Sequence, residues 1–168
     1  MDSATLRGRR GIAWSRAAPA LARGWRLVIG KPSLLGSAYG AMASIVADPG
    51  AEVWGVLYEI SPADLEHLEL TEGVLIDHYQ RASIVVEPSP LWDRSDAGPV
   101  AALTLTSDAC DPLLRPTLRY MGLLLAGAVE HGLPDQWLET LRGIEAVDES
   151  EEAGALRLVI EDAIRKRP

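Results

Sequence analysis

The sequence predicts an α+β fold, with a curved sheet or small barrel followed by helices, and three observations support this prediction. Segments with the alternating pattern of strands come first in the chain. Most segments with the apolar spacing of helices follow them, after residue 115. The 168 residues are 48% apolar and 24% charged, which fits one soluble globular unit. We therefore expect a single domain over residues 1–168, of which about 146–168 form an acidic turn and an amphipathic helix.

Short strands separated by turns rich in glycine and proline are predicted in the first two thirds of the chain. The first 23 residues show only a weak helical pattern, which Gly24 ends. A turn at Asp48-Pro49-Gly50 is expected between two of the strands. Loops are expected at 31–40 and 88–98. The predicted strands cover residues 25–29, 42–46, 52–60, 78–87 and 99–106.

Helices are predicted from capping residues and apolar spacing. Ser61-Pro62 begins the first helix, with serine as N-cap and proline in the first turn, and Gly73 stops it. Further helices are expected at 117–131, 135–143 and 153–167. The last one carries an apolar stripe that is expected to dock onto its own domain rather than onto a second copy, so monomer and homodimer both stay open. The stripe consists of Leu156, Val159, Ile160, Ala163 and Ile164.

Charge and composition argue against several classes of function. The net charge of −8 disfavours a nucleic-acid or anionic-membrane binder, although six arginines cluster near the beginning of the chain. The single cysteine, Cys110, rules out an internal disulfide, and the three histidines lack the spacing of a metal site. The longest apolar run, 121–129, is about half of a membrane span. We expect a cytoplasmic protein without metal, cofactor, nucleic acid or membrane. The arginines are Arg7, Arg9, Arg10, Arg16, Arg23 and Arg26.

One carboxylate is a candidate for proton transfer. Glu72 is predicted to be the last residue of the first helix, where the negative end of the helix dipole disfavours a negative charge. Gly73 lets the chain turn sharply toward the next strand. Such a position suits a proton shuttle. It is also a common position for a solvated surface carboxylate, so the residues alone leave both interpretations open.

Six segments occur in an order and spacing that together resemble one protein family. Residues 24–29 read GWRLVI, and 49–60 read PGAEVWGVLYEI. A helix ending in LELTEG at 68–73 and a strand beginning with YQR at 79–81 follow them. Further on come PTLRY at 116–120 and GAVEHGLP at 127–134. Over about residues 1–145 the chain resembles the γ-glutamylcyclotransferases and their relatives.

The resemblance implies a small mixed β-barrel flanked by helices, with a pocket at one end and no cofactor or metal. The implied activity is that of a lyase, which cyclises a small γ-glutamyl amide to 5-oxoproline and releases an amine or amino acid. The substrate's own α-amino group attacks its γ-carbonyl, so no enzyme nucleophile is required. Glu72 matches the family's catalytic glutamate, which acts as general acid and base. Tyr79 matches a tyrosine near the pocket, and Tyr120 is a second candidate for substrate binding or an aromatic of the helix core.

The chain also departs from the family pattern. Glu69 stands where the family has aspartate, and Leu105 stands where it often has tyrosine. Family members begin with a strand and a Y-G-S-N loop whose backbone N–H groups hold the substrate, and this sequence begins where that loop would end. We therefore expect a missing first strand, an open sheet edge and fewer donors in the pocket. Either Met1 is an internal methionine of a longer protein, or the chain is a non-catalytic relative that binds a small molecule.

Overall fold

A four-stranded antiparallel sheet, in the order β2-β1-β3-β4, forms the centre of the fold. The computed structural model describes residues 2–34, 36–92 and 98–165. β1 and β2 form a long hairpin, and β3 pairs with β1 only at Ala20↔Pro88 and Leu21↔Glu87. The sheet curls until β2 and β4 line a common cleft, which confirms the predicted α+β class with a curved sheet. The strands are β1 Arg16–Ser33, β2 Gly36–Glu59, β3 Gln80–Pro88 and β4 Val100–Thr106.

The long β1–β2 hairpin overturns two expectations about the first forty residues. The weak helical pattern of the first 23 residues corresponds to a single π-helical turn, Ala4–Arg9, and the chain is already a strand from Arg16. Pairing with β2 outweighs the high helix propensity of the alanines there. The predicted loop at 31–40 is also wrong for most of its length, since Ser33 pairs with Gly36 and both strands run through the region.

The predicted turn at Asp48-Pro49-Gly50 is wrong as a chain reversal and is instead a bulge inside β2. The pairs Arg23↔Glu52 and Trp25↔Ala47 flank it, so residues 48–51 lie opposite Gly24 alone. The Gly50 N–H donates to Asp48 Oδ1 at 3.2 Å, as it would in a turn. The hydrogen bond of a turn is therefore present, but strand pairing on both sides continues β2 in the same direction instead of reversing the chain.

In the described residues four α-helices accompany the sheet, and their ends lie within two residues of the predicted ones. Ser61 and Thr117 act as N-caps, because their hydroxyl oxygens accept the N–H groups of Asp64 and Tyr120, both at 3.1 Å. The second and third helices bury a shared apolar cluster against side chains of β1 and β2. The helices are α1 Pro62–Thr71, α2 Leu118–Glu130, α3 Asp135–Arg142 and α4 Glu151–Arg165.

Two residues of the apolar stripe on the last helix are not docked as expected. Ala153 is buried, but Leu156 and Val159 are 37% and 65% exposed. The expectation of docking onto the same domain is therefore wrong for these two residues. The side chains of Ile160, Ala163 and Ile164 lie outside the described part of the structure. Within residues 2–34, 36–92 and 98–165, no helix is long and apolar enough to cross a membrane.

The arginines near the beginning of the chain have partners instead of forming a free basic surface. Arg7 stacks on the Trp14 ring, with its guanidinium carbon 3.7 Å from the ring centroid. The side chain of Arg9 is outside the described part. The carboxylate pairs are Arg10–Glu72, Arg16–Glu59, Arg23–Glu52, Arg23–Glu87 and Arg26–Asp48.

Candidate functional site

Glu72 lies at the end of α1, where the chain turns sharply. Its N–H donates to the Leu68 carbonyl at 2.9 Å, so it is the C-cap and not the last helical residue that was predicted. Gly73 follows with a φ of 72°, as expected for a glycine that stops a helix. The His78 N–H then donates to the Gly73 carbonyl at 3.0 Å, which closes the turn and delays β3 by two residues relative to the prediction. This turn places Tyr79 next to the end of α1.

A cavity of about 800 Å³ lies beside this turn. The three residues predicted from the sequence to form the site, Glu72, Tyr79 and Tyr120, all line it. The other walls come from β2, β4 and the residues around the N-terminal π-helical turn. The volume is typical of a pocket for a small molecule. The fold therefore brings the three predicted residues to one cavity.

The two tyrosines bind opposite sides of the same residue, Ala43 in β2. The Tyr79 O–H donates to the Ala43 carbonyl at 3.0 Å, and the Tyr120 hydroxyl oxygen accepts the Ala43 N–H at 2.9 Å. Burial raises the pKa of both phenols, so both are neutral near pH 7. The Tyr79 hydroxyl donates its proton to the Ala43 carbonyl, whereas the Tyr120 hydroxyl proton has no acceptor among the residues that the structure describes. Tyr120 is therefore the hydroxyl that can donate to a ligand.

Glu72 is paired with a residue that the sequence analysis did not assign to the site. Arg10 Nη1 donates to Glu72 Oε1, and it lies 3.4 Å from Thr71 Oγ1. The side chains of Arg10 and Glu72 are 26% and 19% exposed, so the pair is shielded but open to the cavity. The guanidinium supplies a positive charge next to the Glu72 carboxylate at the end of α1. In the sequence Arg10 was one of six clustered arginines, and no pattern distinguished it from the others.

A second cation, Lys31, is buried next to the same wall and was also missed. Lys31 is 2% exposed, and its Nζ lies 2.9 Å from His78 Nε2 and 4.6 Å from the centroid of the Tyr79 ring. No carboxylate of the described ranges forms an ion pair with it. Burial lowers the pKa of Lys31, and burial together with the Lys31 charge lowers the pKa of His78. His78 is therefore neutral near pH 7 and accepts a hydrogen bond from the Lys31 ammonium group.

Glu69 and Leu105, which depart from the family pattern, have different surroundings in the structure. Glu69 is 6% exposed, and its Oε2 accepts from Arg81 Nη2, which ties α1 to β3. Leu105 lines the cavity and makes its wall apolar at that point. The cavity wall thus combines the Arg10–Glu72 pair, Glu59 with its partner Arg16, the phenols of Tyr58, Tyr79 and Tyr120, and apolar surface. In the ranges described, no group of three or more His, Cys, Asp or Glu side chains is placed to hold a metal.

Comparison with known proteins identifies the family. A family model described as the AIG2-like family matches residues 52–141, which is more than half of the chain. The chain belongs to the AIG2-like family. The match includes α1, Glu72 and Tyr79, and Tyr120 also lies within it.

Curated relatives of this AIG2-like chain are named gamma-glutamylcyclotransferase. The one from Homo sapiens is 30% identical over 128 residues, and the one from Mus musculus is 29% identical over the same length. The matches cover 76% of this chain and 63% of each relative, so the chain spans less than two thirds of their length. The resemblance to γ-glutamylcyclotransferases predicted from the sequence is confirmed.

Solved structures agree with the AIG2-like assignment. A structure named gamma-glutamyl cyclotransferase superposes with a TM-score of 0.73 at 25% identity, covering 98% of this chain and 92% of that one. The crystal structure of an uncharacterized protein from Homo sapiens superposes with a TM-score of 0.71 at 26% identity, covering 96% and 90%. The predicted α+β fold with a curled, barrel-like sheet and flanking helices is therefore confirmed, while the strand pairs of that sheet are antiparallel and not mixed.

Proposed function

We propose that this AIG2-like chain cyclises a γ-glutamyl amide to 5-oxoproline and releases an amine or amino acid. The observation that carries the proposal is the Glu72 carboxylate in the wall of a cavity that Tyr79 and Tyr120 also line. The names of the curated relatives support the same reaction. Because the chain spans only part of those relatives, the activity requires a direct test.

In the proposed reaction, the α-amino nitrogen of the substrate attacks its own γ-carbonyl carbon. The new carbon–nitrogen bond closes the five-membered ring, and the bond from that carbon to the departing nitrogen breaks. The attacking α-ammonium nitrogen loses two of its three protons, and both end on the departing nitrogen. Glu72 accepts these protons one after the other from the attacking nitrogen and delivers each to the departing nitrogen. Attack within one held molecule can supply roughly 7–11 kcal/mol of the barrier.

The carbonyl oxygen becomes negatively charged during the attack and needs a hydrogen-bond donor. Tyr120 is the proposed donor, because its oxygen is held by the Ala43 N–H while its proton is available. Tyr79 contributes by holding the Ala43 carbonyl, which keeps this stretch of β2 in place. The apolar residues of β2 and β4 that line the cavity would surround the methylene carbons of the γ-glutamyl group.

The test is turnover of a γ-glutamyl amino acid by the Glu72→Gln variant. The amide keeps the size of the side chain and cannot carry the proton, so we expect kcat to fall by about 10²–10⁴-fold. Glu66→Gln is the matched control, because Glu66 is an exposed carboxylate of the same helix. A Glu72→Gln variant that keeps activity within about tenfold would contradict the proposed role.

Ligand binding measured next to turnover in the wild-type protein separates the enzyme from the non-catalytic alternative. If 5-oxoproline raises the melting temperature of the wild-type protein while no γ-glutamyl compound is turned over, the chain binds the ligand without catalysis. The proposed activity is then wrong, and a small-molecule-binding relative is the better description.

A further inference from the structure

Arg10 carries more hydrogen-bond donors at the cavity wall than its contacts use. A guanidinium has five N–H groups, and only those on Nη1 have acceptors here, Glu72 Oε1 and Thr71 Oγ1. In the part of the chain that the structure describes, nothing accepts from Nε or Nη2. The side chain is 26% exposed and lines the cavity, so this unused side is open to a ligand. An Arg fork with two free donors matches the two oxygens of a carboxylate.

We propose that Arg10 binds the α-carboxylate of the γ-glutamyl group and thereby selects the substrate class. The preferred substrates are amides whose acyl part carries a carboxylate on the same carbon as the attacking amine. This inference rests on the proposed function, since it assigns a specificity-determining residue to the same site.

The arrangement of Arg10 and Glu72 explains why this carboxylate would matter for the reaction. Both carboxylates meet on one guanidinium, with Glu72 on Nη1 and the proposed ligand carboxylate on Nε and Nη2. The α-ammonium shares a carbon with that ligand carboxylate. A substrate held by Arg10 therefore has its ammonium close to the Glu72 carboxylate that accepts the proton.

The charges around the cavity favour an anionic group at this position. Arg10 and the buried Lys31 are cations, and Glu72 is paired with Arg10 at this wall. The other carboxylate that lines the cavity, Glu59, is balanced by its own partner, Arg16. Tyr79, Tyr120 and His78 are neutral near pH 7 because burial raises the pKa of each phenol and lowers the pKa of the imidazole. The α-carboxylate would supply the second negative charge and balance the two cations.

Two substrates that differ only in this carboxylate test the inference. γ-Glutamyl-alanine has it, and 4-aminobutyryl-alanine lacks it but can still close a ring, giving 2-pyrrolidinone. We expect wild-type kcat/KM to favour γ-glutamyl-alanine by about 10- to 100-fold, the effect of a charged hydrogen-bonded pair. In Arg10→Gln the preference should fall to within about threefold, and Arg10→Lys, which keeps the charge without the fork, should be intermediate.

The ratio of the kcat/KM values for the two substrates cancels any effect that Arg10 has on Glu72 or on folding, because both values are measured on the same protein. Arg26→Gln is the control, since Arg26 pairs with Asp48 on the exposed side of the hairpin and should keep the wild-type preference. An Arg10→Gln protein that retains the wild-type preference overturns the inference, even if both rates are lower.

Ligand binding distinguishes failure of this inference from failure of the proposed function. We expect 5-oxoproline, but not 2-pyrrolidinone, to raise the melting temperature of the wild-type protein, and Arg10→Gln to lose that shift. These shifts without any turnover would contradict the proposed reaction and support the role of Arg10. An equal shift in both proteins, or no shift in the wild type, contradicts the role of Arg10.

Discussion

The two tyrosines of the site differ at the level of single atoms, although both contact Ala43. Tyr79 gives its proton to the backbone carbonyl, and Tyr120 receives the backbone N–H and keeps its proton. The two tyrosines, both with a pKa raised by burial, therefore differ in whether their hydroxyl can donate a hydrogen bond to a ligand. Only Tyr120 can donate to a developing oxyanion without first breaking an existing hydrogen bond.

This difference predicts unequal effects of removing the two hydroxyls. Tyr120→Phe should lower kcat for γ-glutamyl-alanine by about 10²-fold or more, the usual effect of losing an oxyanion donor, and Tyr79→Phe by less than about tenfold. Each variant loses one hydrogen bond to Ala43, so the two melting temperatures should fall by similar amounts and serve as mutual controls. Equal losses of kcat in steady-state kinetics would contradict the assignment.

At the scale of elements, the turn between α1 and β3 positions the catalytic candidate. Gly73 adopts a φ of 72°, and a Cβ at this position would lie 3.0 Å from His78 Cβ. The preceding residue is Glu72, whose position therefore depends on a backbone conformation that residues with a side chain rarely adopt.

Gly73→Ala should lower the free energy of unfolding by roughly 1–2 kcal/mol, because alanine is strained at this φ, and should also lower kcat by displacing Glu72. Gly122→Ala is the contrasting variant. Gly122 lies exposed in α2, and no atom lies within 4 Å of the place that an alanine methyl group would take there. Alanine at 122 should therefore leave stability unchanged or raise it by up to about 1 kcal/mol. Urea denaturation measures the free energy of unfolding of both variants. Equal values for Gly73→Ala and Gly122→Ala would contradict the need for a left-handed conformation at Gly73.

At the scale of the whole molecule, Lys31 is a charge buried where strand β1, His78 and the Tyr79 ring meet. Its contacts are a neutral imidazole, a backbone carbonyl and an aromatic face. A buried ammonium without a carboxylate partner costs stability, since its hydration is only partly replaced. The fold carries this cost directly behind the cavity wall, which His78 and Tyr79 line.

Lys31→Met should therefore raise the free energy of unfolding at pH 7, by on the order of 1 kcal/mol. Burial lowers the pKa of Lys31 in the folded state below its ordinary 10.5, so the unfolded chain binds more protons between the two values. The stability of the wild type should rise relative to Lys31→Met as the pH approaches 10.5. Urea denaturation at several pH values measures this, and a variant less stable than wild type at pH 7 would contradict it.

The sequence by itself determined the features that depend on neighbouring residues. The caps Ser61 and Thr117 and the stop at Gly73 located helix ends, because capping is decided within one turn of the chain. The resemblance identified Glu72, Tyr79 and Tyr120 as site residues, and all three line one cavity. Their catalytic and binding roles stay predictions.

Only the tertiary structure decided the features that depend on distant partners. The Asp48-Pro49-Gly50 segment has the local chemistry of a turn, yet pairing with β1 on both sides makes it a bulge in a continuous strand. Arg10 looked like its neighbouring arginines until the fold placed it beside Glu72. Local signals act over a few residues, whereas strand pairing and the pairing of buried charges depend on residues tens of positions apart.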